Sequence, residues 1–158
     1  MKVLVVDDDP NKVKQLQTCV NELLPTAEVV QCRSYQSGLK AALFGKPDLI
    51  ILDMTMPNYD VGGKETGGRE RRYAGQQILR QLKRKTAETR AVVVTQFEQF
   101  GEGDQLVTLE ELSRNLSQEF GEIFLGTIFY QAGDKHWRDE IKHLLERAGF
   151  RVPSEFEA

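Results

Sequence analysis

Asp7-Asp8-Asp9 and Asp53 are the acidic residues placed to do chemistry, because each group directly follows a short apolar run. Val3-Leu4-Val5-Val6 precedes the triplet and Leu49-Ile50-Ile51-Leu52 precedes Asp53. Such runs read as strands buried on both faces. If the two strands lie side by side and parallel, their carboxylates meet at one rim, where like charges raise one another's pKa unless a cation neutralises them. A hard, oxygen-preferring divalent ion such as Mg2+ suits that donor set. Thr95 closes a further run containing Val92-Val93-Val94 and would bring a hydroxyl to the same rim. Carboxylates, a metal and a hydroxyl suit phosphoryl transfer to an aspartate, since the ion screens the nucleophile from the phosphoryl oxygens.

The elements that must hold these residues follow from periodicity. Between the apolar runs lie stretches whose apolar residues recur at three and four, which is a βαβα pattern. Val13, Leu16, Val20, Leu23 and Leu24 form one helical stripe that stops before Pro25. Ala27 to Arg33 reads as the second strand, and Ser34 can cap a helix with Leu39, Ala42 and Leu43 that ends near Gly45-Lys46-Pro47. Ala74, Ile78 and Leu82 mark a third helix, and Ala91 to Thr95 the fourth strand. Thr108 and Glu111 are spaced as a capping box before Leu109, Leu112, Leu116 and Phe120. Ile123 to Tyr130 reads as the fifth strand, and Trp137, Ile141, Leu144, Leu145 and Ala148 as the last helix, ended by Gly149. Right-handed crossovers then require an α/β doubly wound fold: a five-stranded parallel sheet with helices on both faces and its site at the carboxyl ends of the strands.

Composition narrows the function classes. The 158 residues, 40% apolar and 28% charged, fit one domain over 1–150 with a short tail at 151–158. No apolar run approaches the roughly 20 residues of a membrane span, and no signal-peptide pattern opens the chain, so a cytoplasmic protein with no membrane partner is expected. A net charge of -3 argues against nucleic acid. The charge is uneven, with nine basic against three acidic residues over 64–90 and six against thirteen over 91–158. Cys19 and Cys32 have neither disulfide-framework nor metal-ligand spacing and read as reduced core residues. His136 and His143 share a helix face without a third ligand, so metal binding there is not expected.

Val-Leu-Val-Val-Asp-Asp-Asp-Pro, Lys-Pro-Asp-Leu-Ile-Ile-Leu-Asp-Met-Thr-Met-Pro and Val-Val-Val-Thr, in that order, resemble the receiver domain of two-component response regulators over nearly the whole chain. The resemblance implies a flavodoxin-like sheet in the order 2-1-3-4-5 and a phosphoryl group passed from a sensor histidine kinase or phosphotransfer protein to Asp53. It further implies Asp7, Asp8, Asp53 and the backbone carbonyl of Thr55 around Mg2+, Thr95 as the switch hydroxyl, and signalling to a downstream protein through the last helix-strand-helix face. Phe129 or Tyr130 could serve as the family's aromatic switch.

Three departures stand out. The family's lysine at the end of the fifth strand is replaced by Ile128-Phe129-Tyr130-Gln131; either a bulge brings Lys135 to the rim or the lysine is absent, and absence is favoured. Asn58 to Ala74, with four glycines and Lys64, Arg69, Arg71 and Arg72, intervenes before the third helix and reads as a docking loop. Arg80, Lys83, Arg84 and Lys85 on that helix read as a solvated face. Phe97 to Gln105 forms a second insertion. The main expectation is a stand-alone receiver that is not an enzyme beyond Mg-dependent self-phosphorylation. The alternative is a pseudo-receiver that binds partners without phosphorylation. A phosphatase of the haloacid-dehalogenase type, built on Asp7 and Asp9, ranks below both, as does a flavodoxin-like cofactor protein.

Overall fold

The computed structural model describes residues 1–60, 70–71, 73–85, 87–101 and 103–153. Five strands, β1 (Lys2–Val6), β2 (Glu28–Cys32), β3 (Leu49–Leu52), β4 (Arg90–Thr95) and β5 (Phe124–Phe129), form one parallel sheet in the order β2-β1-β3-β4-β5. The helices are α1 (Pro10–Leu23), α2 (Tyr35–Gly45), α3 (Ala74–Arg84), α4 (Leu109–Phe120) and α5 (His136–Arg147). This is the doubly wound fold that the sequence leads one to expect.

Strand pleat divides the core in two, because successive side chains point to opposite faces. Leu4, Val6, Ile50, Leu52, Ala91 and Val93 pack with α2, α3 and α4. Val3, Val5, Leu49, Ile51, Val92 and Val94 pack with α1 and α5 through Leu16, Val20, Trp137, Ile141 and Leu145. All four residues of β3 are therefore buried, as a central strand requires.

Local signals set the helix ends. Asp9 caps α1, with Pro10 at its first position. Ser34 and Ser37 make a reciprocal capping box on α2, and Lys46, at φ 47°, ends that helix in the left-handed region. Thr108 Oγ1 accepts from Glu111 N at 3.2 Å at the start of α4. Gly149, at φ 90°, turns the chain after α5.

The two insertions carry structure that periodicity did not announce. Met56–Pro57 pairs antiparallel with Glu70–Arg71, closing the base of the first insertion. Gln99–Phe100 pairs antiparallel with Val107–Thr108 around a 3-10 turn at Gly103–Gln105, and Phe100 reaches the core. The basic residues Lys64, Arg69 and Arg72 of the proposed docking loop lie outside the described residues, as do the last five residues of the tail.

Candidate functional site

Register brings the acidic residues together. Val6 pairs with Leu52 and Leu52 with Val93, so Asp7, Asp53 and Val94 follow side by side at the carboxyl edge of the sheet. Asp7 N donates to Cys32 O at 3.0 Å and Asp53 N to Val6 O at 3.1 Å, which extends both ladders through the acidic residues. Asp7 and Asp53 are buried, Asp8 is exposed, and Thr55 is half-buried two residues beyond Asp53.

A lysine stands between the two buried carboxylates. Lys12, at the third position of α1, is 1% exposed, and its ammonium lies 2.5 Å from Asp7 Oδ2 and 2.8 Å from Asp53 Oδ2. It also donates to the backbone carbonyl of Val94 at 2.6 Å and sits 5.9 Å from the centre of the Tyr130 ring. Burial opposes its charge, yet Asp53 and then Asp7 hold its pKa above the ordinary lysine value. Burial pushes the Asp7 carboxyl up to about 6 despite Lys12, and the Asp53 charge adds to the rise.

The remaining polar atoms are largely committed. Asp53 Oδ1 accepts from Met54 N at 2.7 Å, and Asp7 Oδ1 accepts from Asp9 N at 2.9 Å. Asp7 Oδ2 faces the ammonium as an ion pair and has no other polar partner among the described residues. Thr95 is fully buried, and its Oγ1 accepts from Phe97 N at 3.2 Å. Tyr130 N donates to Thr95 O at 2.8 Å, and the Tyr130 ring packs 5.1 Å from Trp137.

The donor set suits Mg2+ in kind. Asp7 and Asp53 carry two negative charges against the single charge of Lys12, and the buried Asp7 Oδ2 has no partner besides that ammonium among the described residues. Among the described residues no three carboxylate, histidine or cysteine side chains gather at one point. An ion here would draw on carboxylates, a carbonyl and water, a coordination that Mg2+ accepts.

Of the sequence candidates, Asp7, Asp53 and Thr95 gather at the sheet edge and Thr55 follows Asp53. Lys135 lies exposed at the N-cap of α5. Asp9 is occupied as a helix cap. Of the two aromatics, Tyr130 is the buried one beside the cluster and Phe129 is half-buried. Lys12 escaped the sequence reading. The signal was present: Lys12 stands four residues before Leu16 and eight before Val20, on the apolar stripe of α1, where a lysine needs a buried anion.

On the opposite side, Arg80 Nε donates to Glu119 Oε1 at 2.7 Å and Lys83 Nζ to Glu119 O at 2.6 Å. These two α3 bases thus clasp α4 across solvent. No described helix is long and apolar enough to cross a membrane.

Comparison with known proteins agrees with this geometry. The family model described as response regulator receiver domain matches residues 3–110. The chain is 34% identical over 151 residues to the Detocs response regulatory protein DtcB of Enterobacter cloacae, covering 92% of this chain and 99% of that one. It is 31% identical over 144 residues to the uncharacterized protein y4jR of Sinorhizobium fredii, covering 90% and 95%. Among solved structures, the phosphorylated cyanobacterial phytochrome response regulator RcpA is similar with a TM-score of 0.62 at 19% identity, covering 97% and 98% of the two chains. The response regulator domain of Thermotoga maritima CheB gives 0.56 at 22% identity, covering 94% and 92%. With its acidic strand ends gathered on a 2-1-3-4-5 parallel sheet, the chain belongs to the response regulator receiver family.

Proposed function

We propose that this receiver works in a phosphorelay, accepting a phosphoryl group on Asp53 from a sensor histidine kinase or phosphotransfer protein in the cytoplasm and signalling by binding a separate protein. The observation that carries this reading is the buried Asp53 carboxylate, held in register beside Asp7 at the carboxyl edge of the sheet. A bond forms between an Asp53 oxygen and phosphorus as the bond from phosphorus to the donor breaks, and the leaving group keeps the electron pair. The Met54 amide fixes the carboxylate's orientation through Oδ1. Asp7, Asp8, Asp53 and the Thr55 carbonyl would hold Mg2+, which supplies screening of the phosphoryl charge. Thr95 would bring its hydroxyl to a phosphoryl oxygen on giving up the Phe97 amide. Residues 1–150 form the receiver unit in this reading, and DtcB, named a response regulatory protein, is matched over 99% of its length.

A pseudo-receiver is the second reading, favoured by one observation: both Asp53 oxygens already have partners, and one of them is an internal cation. Intact mass spectrometry after incubation with Mg2+ and a small-molecule phosphodonor separates the two. One added phosphoryl group, absent from Asp53→Asn, is expected. No addition to a folded protein would leave the pseudo-receiver.

A further inference from the structure

We propose that Lys12 is the phosphoryl-binding lysine of this protein, reaching Asp53 from the first turn of α1 instead of from the end of β5. The inference rests on the reading of Asp53 as phosphoacceptor. An ammonium has three protons to donate. Those of Lys12 are directed at Asp7, Asp53 and the carbonyl of Val94. With Nζ 2.8 Å from Asp53 Oδ2, a phosphoryl group joined to that carboxylate arrives beside a buried cation.

The three partners are unequal. Two are carboxylates and the third is a neutral carbonyl, and hydrogen bonds between charged groups are roughly twice as strong as neutral ones. The ammonium therefore exchanges Val94 O for a phosphoryl oxygen when Asp53 is modified. Val94 immediately precedes Thr95, whose carbonyl accepts from Tyr130 N, and the Tyr130 ring faces the same ammonium. The exchange frees a carbonyl at the end of β4 and moves a charge beside Tyr130, so one side chain both binds the phosphoryl group and reports it to β4 and β5. Lys135, exposed at the α5 N-cap, is the rival.

The test follows phosphoryl uptake and loss by intact mass in the full chain with Mg2+ and a small-molecule phosphodonor. Wild type is compared with Lys12→Met, Lys12→Gln, Lys135→Met and the exposed-helix control Lys14→Met. In parallel, the ammonium nitrogen resonance of Lys12 is recorded by NMR in wild type before and after phosphorylation, a readout independent of how the variants fold. The expected results are a resonance that moves on phosphorylation and uptake slowed at least tenfold in either Lys12 variant, with Lys14→Met unchanged. A phosphorylated wild type whose Lys12 resonance stays fixed overturns the inference alone, as does slowing by Lys135→Met while both folded Lys12 variants match wild type. A wild type that takes up no phosphoryl group overturns the phosphoacceptor reading and the inference with it.

Discussion

Gln96 Nε2 donates to Asp9 Oδ2 at 2.7 Å, while Asp9 Oδ1 accepts from the amides of Asn11 and Lys12 at 3.0 and 3.2 Å. One carboxylate thus caps α1, holds the backbone of Lys12 and ties the loop after β4 across the mouth of the site. Asp9→Ala is expected to cost about 1 kcal/mol in urea unfolding, the usual worth of an N-cap. Gln96→Ala should cost less, because that bond is exposed. A cap variant of wild-type stability would show that Pro10 alone starts the helix.

Asp7 gives the stability a pH dependence of definite sign. Its carboxyl is raised from 3.8 to about 6, chiefly by burial, so the fold favours the protonated form. Its stabilising contribution is complete below pH 3.8 and lost as the pH rises through about 6. Relative to Asp7→Asn, wild type should gain roughly 1 kcal/mol on going from pH 7 to pH 5. Paired denaturant titrations at the two pH values measure the difference, and a gain in the opposite direction would contradict the assignment.

Gly75 lets α3 approach the acidic edge. A Cβ there would stand 2.5 Å from the Asp53 carbonyl oxygen, in a helix whose Gly75 N already donates to Met54 O at 3.1 Å. Gly75→Ala should destabilise by about 1 to 3 kcal/mol through overpacking against backbone, and it should disturb the amides around Asp53. Gly45→Ala meets only the Lys2 ammonium, at 4.0 Å, and is expected to be near neutral. Thermal melts of the two variants provide the comparison.

The α3-α4 clasp at Glu119 is exposed, so it should contribute little. Glu119→Ala is expected to cost under about 1 kcal/mol, with the cost falling as salt is added. A larger, salt-independent loss would mean that Gln76, which also donates to Glu119, is the main contact.

Some of this was legible in the residues themselves. Leu49 to Leu52 announces a central strand because an uninterrupted apolar run suits a strand covered on both faces, and the position of Asp7, Asp53 and Thr95 after or at the end of successive strands foretold that they share one sheet edge. The paired segments at Met56–Pro57 and Gln99–Phe100 were not legible, because two-residue ladders are too short to show a period. Lys12 was hidden for another reason. Lysine is ordinarily a surface residue, and nothing local marks the anions that Lys12 is buried with, since its partners are 5, 41 and 82 residues away in sequence.

The protein has a single tryptophan, and its surroundings give it a second use. Trp137 is 2% exposed, donates from Nε1 to Asp134 O at 2.8 Å, and lies 5.1 Å from the Tyr130 ring that faces Lys12. A charge that shifts beneath Tyr130 would alter the field at the neighbouring indole, so under the proposed function the colour and yield of its emission are expected to change when Asp53 is phosphorylated. The molecule thus carries its own fluorophore at the point where the acidic cluster meets α5, a label-free probe for the phosphorylation proposed at Asp53.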